Sequence, residues 1–213
     1  MQYVERSIDS HDWITLILVG SFVVLAMVSV LYKKRFEDFI KLPISNNFFI
    51  AKGTKDQIKH PFNILLFCLQ IVSISLFVLL FFTGGNPFNL SLFFQIFIGV
   101  FVFVVIKLFI EKMIGTIFSI ESVINPYIYK KLTYTNYLSF LFFITNLLFY
   151  FSFKPNINTL LVLTAVFLLL YSIILYYSLK NHRTLILSNL FYFILYLCTL
   201  EISPYIILYK AVV

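Results

Sequence analysis

The sequence that decides the fold reads FNILLFCLQIVSISLFVLLFF at residues 62–82, TGGNP at 83–87 and FNLSLFFQIFIGVFVFVVIKLFI at 88–110. Both long runs have the length, roughly 17–25 residues, with which an α-helix crosses a bilayer. Between them, two glycines permit a tight reversal and a proline prevents a continuous helix. The stretch therefore predicts an antiparallel pair of membrane-spanning helices.

Apolar runs of similar length recur along the chain. A transmembrane barrel would show strands of about 10 residues with alternating polarity, and none of these runs alternates. The predicted spans are residues 13–32, 62–82, 88–110, 136–153, 159–179 and 185–205. We therefore expect an all-α polytopic membrane protein, in which residues 1–213 form a single bundle of six transmembrane helices.

The composition excludes an ordinary soluble protein. Of the 213 residues, 61% are hydrophobic and 12% are charged, whereas soluble domains carry about 25% charged residues. The chain also has no glycine-rich phosphate loop, no nucleophile elbow and no His or Cys residues at metal-ligand spacing. We expect no cofactor, no metal and no soluble small-molecule substrate.

Basic residues are concentrated on one side of the predicted bundle. Twelve Lys and Arg fall in the loops of one side and three on the other. By the positive-inside rule, the richer side faces the cytoplasm, so both termini face the outer, periplasmic side. Orientation and attraction to anionic lipid explain the net charge of +7, and nucleic acid is not expected as a partner.

An acid interrupts the last apolar run, LYLCTLEISP at residues 195–204. Glu201 would cost several kcal/mol in hydrocarbon unless it found a partner or water. Pro204 cannot donate to the carbonyl of Leu200, so a kink with a polar pocket is predicted beside the acid. Glu201 is either a proton- or ligand-sensitive site or a structural or interfacial acid, and Lys210 is one candidate partner.

A second pair of charges lies near the end of the third predicted span. Counted from Phe88, Lys107 is about 28 Å down the helix, close to the cytoplasmic boundary of a core about 30 Å thick. Glu111 follows one turn later, so the two side chains could pair with each other. They form either a boundary anchor or a functional pair. Lys107 and Glu201 should lie at opposite depths, which argues against a salt bridge between them.

Two cytoplasmic segments combine basic residues with an apolar face. In residues 33–42, aromatic side chains recur at helical spacing among charges, and a similar apolar face precedes the lysines near residue 130. Such helices form either a collar on the membrane surface or a docking surface for a partner. The residues predicted to contact lipid or a partner are Lys33, Lys34, Arg35, Phe36, Phe39, Lys130 and Lys131.

The end of the chain resembles a known family. FYFILYLCTLEISP at residues 191–204, ILYK at 207–210, KLFIEKMIG at 107–115 and the lengths of the six spans resemble an uncharacterised multi-pass inner-membrane family of Bacteroidota, a domain of unknown function. The resemblance covers most of the chain and implies the fold and a location in the bacterial inner membrane. The family has His where this chain has Tyr192, which argues against a His–Glu site on the sixth helix.

Two classes of function fit the sequence. The favoured one is a non-enzymatic integral membrane subunit, or an assembly or scaffold factor, of a bacterial cell-envelope complex. Its partners would be the lipid bilayer and other integral membrane proteins. A secretion or gliding assembly is one example of an envelope complex to which it would belong. The alternative is a small transporter, channel or lipid-handling membrane protein that uses Glu201.

Overall fold

The computed structural model describes residues 12–42, 60–83, 89–117, 121–152 and 156–180. All regular structure within these ranges is α-helical, which confirms the predicted all-α class for this part of the chain. The helices are α1 (Asp12–Leu31), α2 (Lys33–Ile40), α3 (Pro61–Thr83), α4 (Leu90–Ile117), α5 (Glu121–Phe151) and α6 (Ile157–Lys180).

Helices α1, α3, α4, α5 and α6 are each long and apolar enough to cross a membrane. This is the architecture expected of a multi-pass membrane protein. The sixth predicted span, residues 185–205, lies outside the described residues. So do Glu201, Pro204 and Lys210.

Two helices extend further than the apolar runs predicted. Helix α4 ends at Ile117, seven residues beyond the predicted end at 110, and α5 begins at Glu121, fifteen residues before the predicted start at 136. Most of residues 111–135, which lie between two predicted spans, are therefore helical. Pro126 lies within α5, near its start, where its missing N–H removes a single backbone hydrogen bond.

Helix α3 is the most buried of the five described spanning helices. Of its most apolar stretch, 56% is buried, against 6% for α4 and 11% for α6. Helix α3 contacts α1, α4 and α5, and α5 also contacts α4 and α6. Most apolar side chains of α4 and α6 therefore lie on the outer faces of these helices and not in the described core.

Apolar clusters join the helices at both ends of the bundle. We call one of them the α2 end, which contains α2, the starts of α3 and α5 and the end of α4. Its buried residues include Val28, Phe39, Leu42, Phe62, Leu66, Leu69 and Tyr129. At the opposite end, the buried cluster contains Ile14, Leu18, Leu76, Leu79, Phe93 and Phe143. Each cluster draws on at least three helices, which fixes how the helices pack.

Two buried hydroxyls, those of Ser75 and Thr133, bond within their own helices. Ser75 Oγ donates to the carbonyl of Ile71 at 2.7 Å, and Thr133 Oγ1 donates to the carbonyl of Tyr129 at 2.8 Å. Within a bilayer a polar group needs such an internal partner, because hydrocarbon supplies none. These residues can therefore lie between apolar helices without a bond to a neighbouring helix.

Candidate functional site

Helices α4 and α5 approach each other closely at the α2 end. A Cβ atom placed on Gly115 would lie 3.3 Å from Cγ2 of Ile124, so the glycine leaves room for the neighbouring side chain. Glu111 lies one turn before Gly115 on α4, and Lys131 lies two turns after Ile124 on α5. The close approach therefore brings an acid and a base from different helices together.

Glu111 and Lys131 form a buried ion pair. Lys131 Nζ donates to Glu111 Oε1 at 2.5 Å, and the two side chains are 6% and 0% exposed for Lys131 and Glu111, respectively. The ammonium also lies 5.7 Å from the centre of the Tyr127 ring, within the range of a cation–π contact. Each charge would be costly to bury alone, so the pair both neutralises them and ties α4 to α5.

This pairing changes the predicted roles of three residues. The sequence left open a pairing of Glu111 with Lys107 on its own helix, and the structure adds a partner from another helix, since Glu111 Oε1 accepts from Lys131, twenty positions along the chain. Lys131, expected at the membrane surface, is inside the bundle, whereas Lys130 and Lys107 are half-buried. Sequence reasoning missed the pair because the register between two helices is not encoded in local spacing. The available signal was that Glu111 and Gly115 share one face of α4.

A second set of polar groups joins α3 to α5. Asn146 Nδ2 donates to the carbonyl of Ser73 at 2.8 Å, and the Tyr150 hydroxyl donates to the carbonyl of Leu76 at 3.0 Å. Asn146 and Tyr150 are one turn apart on α5, and the two carbonyls are three residues apart on α3. The two helices therefore run in the same direction and are held in a defined register.

Several buried polar atoms on α3 and α5, the two helices of this seam, have no protein partner. They are Gln70 Oε1, Asn136 Nδ2, Asn136 Oδ1 and Asn146 Oδ1, all buried. Glu111 Oε2, where α4 meets α5, is also buried without a hydrogen-bond partner. Buried groups of this kind are usually completed by bound water, so the seam has the chemistry to hold a few water molecules between helices.

Removing the Tyr150 hydroxyl tests the interhelical bond of the seam. We expect Tyr150→Phe to lower the free energy of unfolding by about 0.5–1.5 kcal/mol, because the hydrogen bond to the carbonyl of Leu76 is lost. The measurement is the midpoint of thermal unfolding in detergent. Tyr137→Phe is the matched control on the same helix, since the Tyr137 ring packs against Phe39. Equal midpoints for the two variants would contradict the role given to Tyr150.

The amphipathic helix predicted in residues 33–42 is present as α2, but one of its faces packs on the bundle. Phe39 is 1% exposed, with its ring centre 6.0 Å from that of Phe62 and 5.9 Å from that of Tyr137. Phe39, predicted to contact lipid or a partner, is instead a core residue. Phe36 is partly buried against the same cluster. The basic residues of α2 differ in burial, with Lys33 and Lys34 exposed and Arg35 half-buried.

The described part of the chain contains no group of three or more His, Cys, Asp or Glu side chains that could hold a metal ion. The polar groups that the structure brings together in this part are those of the ion pair, the α3–α5 seam and the basic surface of α2. These arrangements can position helices, hold water and attract anions.

Comparison with known proteins identifies one family. The sequence model of a family described as a domain of unknown function, DUF4271, matches residues 14–212. No curated protein matches the chain. No solved structure matches it either.

Proposed function

Since the chain belongs to this family of unknown function, we propose that it is a non-enzymatic integral membrane subunit, or an assembly or scaffold factor, of a bacterial cell-envelope complex. Its place would be the inner membrane of a member of the Bacteroidota, with six spans and both termini on the periplasmic side. The proposed host complex is a secretion or gliding assembly. Its partners would be lipid and other integral membrane proteins.

The observation that carries this proposal is the use of polar side chains to join helices. Asn146 and Tyr150 bind carbonyls of α3, and Lys131 binds Glu111 of α4. The outer faces of α4 and α6 meanwhile expose large aliphatic and aromatic side chains along their length. A bundle whose polar groups serve its own packing, and whose exterior is apolar, is suited to association within the bilayer.

The proposed orientation follows from charge. The α2 end carries Lys33, Lys34, Lys41 and Lys112 on its exposed surface. Under the positive-inside rule that end faces the cytoplasm. Reaction of single cysteines introduced at the two termini with a membrane-impermeant maleimide, in intact cells, tests this arrangement after Cys68 and Cys198 are replaced by Ser. Labelling of both termini is expected. Protection of both termini would show that they face the cytoplasm and would contradict the proposed orientation.

Copurification from native membranes tests the function itself. We expect the tagged chain, extracted in a mild detergent, to carry another integral membrane protein in a fixed ratio. A related but unassociated membrane protein of similar abundance, tagged in the same way, controls for co-extraction. Recovery of the chain alone, in every mild detergent tried, would contradict the subunit proposal.

The alternative is a small transporter, channel or lipid-handling protein that uses Glu201. It is favoured by the buried amide atoms of Gln70 and Asn136 that lack a protein partner, because transport paths are lined by such groups. Flux across liposomes containing only this chain, abolished in Glu201→Gln, would support it. Under a structural role Glu201→Gln retains hydrogen bonds and should preserve yield, while Glu201→Leu should reduce it.

A further inference from the structure

Arg35 lies at the level where apolar helices end. Helix α1 ends at Leu31 and α3 begins at Pro61, and Arg35 belongs to the short helix α2 that follows α1 directly. The ends of spanning helices lie near the lipid headgroups. A basic side chain held at this level is therefore within reach of phosphate groups.

The guanidinium of Arg35 is partly enclosed by the protein. The side chain is half-buried, and its Nη1 atom is buried without a hydrogen-bond acceptor. The side chain as a whole keeps some exposed surface. Enclosure of one edge limits the rotation of the planar group and gives the other edge a fixed direction.

The protein supplies no counter-charge to this guanidinium within the ranges that the structure describes. Tyr129 of α5 interacts electrostatically with Arg35, and its side chain hydrogen-bonds the Asn63 side chain of α3. Helix α2 itself carries the carboxylates of Glu37 and Asp38, but no ion pair joins either of them to Arg35 among the described residues. Among the described residues, the guanidinium therefore has no carboxylate partner.

We propose that Arg35 binds the phosphate of an anionic phospholipid at the α2 end. A guanidinium presents donors in a planar fork that matches phosphate oxygens, and a charge-assisted pair of this type is about twice as strong as a neutral hydrogen bond. The exposed lysines of the same segment, Lys33, Lys34 and Lys41, add an attraction to anionic lipid that has no fixed geometry. Arg35 then gives that attraction a defined site. The inference does not rest on the proposed complex.

Lipid retention by the full chain tests this site. The protein is purified in detergent, titrated with phosphatidylglycerol or phosphatidylcholine, and analysed by native mass spectrometry. We expect one phosphatidylglycerol molecule to bind more tightly than the others, and Arg35→Gln to weaken that binding about tenfold. Lys41→Gln removes the same charge from an exposed position and is expected to change affinity by no more than about twofold.

Two further arms make the result decisive. Arg35→Lys keeps the charge but loses the fork, so we expect an intermediate loss of affinity, and it carries the test if Arg35→Gln does not fold. Equal losses in Arg35→Gln and Lys41→Gln would overturn the site and leave diffuse attraction alone. Inorganic phosphate is offered separately at constant ionic strength. Arg35-dependent thermal stabilisation by phosphate, without a preference for the anionic lipid, would overturn the lipid assignment.

Discussion

The variant Lys131→Met should lower the free energy of unfolding by about 3–5 kcal/mol, because it leaves the buried carboxylate of Glu111 without its partner. The Met side chain is similar in length to the aliphatic part of Lys, so packing is largely kept. The loss should appear as a lower midpoint of thermal unfolding in detergent and a lower yield from membranes.

Two variants show that this loss comes from an uncompensated charge. Lys112→Met removes a lysine that is exposed on α4 beside Glu111, and we expect it to be within about 0.5 kcal/mol of the native chain. The double variant Glu111→Leu with Lys131→Met removes both charges and should recover most of the stability, since apolar replacement of a buried pair is often neutral. A double variant as unstable as Lys131→Met would show that the pair does not act as a unit.

The helical spans were largely predictable from the sequence, because each is an apolar run of the length that a bilayer requires. Helices α1, α3 and α6 begin and end within about two residues of the predicted spans at 13–32, 62–82 and 159–179. Hydrocarbon imposes this regularity, since it leaves backbone groups no other partner. Helix bounds inside the bilayer therefore depend little on tertiary contacts.

The joined ends of α4 and α5 were not predictable in the same way. Residues 111–135 contain Pro126 and several charges, so the sequence predicted a short membrane-surface helix before Lys130 and no extension of the neighbouring spans. Two features of this part are the pairing of Lys131 with Glu111 and the close approach at Gly115. Both are contacts between helices, and the sequence of either helix by itself does not contain them.

The candidate site was predictable only as a set of residue types. Glu111 and Arg35 were recognisable as charges near a membrane boundary. Coordinates were needed to show that Glu111 pairs with Lys131, and that Arg35 has no ion-pair partner among the described residues. The amides of the α3–α5 seam carry no charge and lie in apolar runs, so composition and hydropathy did not identify them as candidate site residues. Burial is what distinguishes Asn136 and Asn146 from ordinary polar residues of a span.

The described helices differ in how much of their surface is buried, with a well-buried centre and a less buried periphery. Helices α3 and α5 share the polar seam and both apolar clusters, whereas α4 and α6 bury little of their apolar surface in the described core. Variants at the centre should therefore affect the fold, and variants on the outer faces should affect association. The short helix α2 is the exception on the periphery, because its aromatic face reaches the centre.

We expect Phe39→Ala to lower the free energy of unfolding by about 3–5 kcal/mol, close to the effect of Lys131→Met. Phe39 is 1% exposed and packs edge-on against Phe62 of α3 and Tyr137 of α5, so its removal leaves a cavity between three helices. The change is measured as the midpoint of thermal unfolding of the purified chain. Limited proteolysis at the α2 end should also become faster, because α2 loses its main attachment to the bundle.

Ile40→Ala separates this packing role from contact with lipid. Ile40 neighbours Phe39 on α2 but is 49% exposed, so its truncation removes lipid-accessible surface and creates no internal cavity. If α2 is held by the bundle, Ile40→Ala should cost less than about 1 kcal/mol and leave proteolysis unchanged. If α2 were held by the membrane surface instead, the two truncations would weaken its attachment to vesicles to a similar extent and neither would lower the unfolding midpoint in detergent. The aromatic contacts across three helices favour the first result.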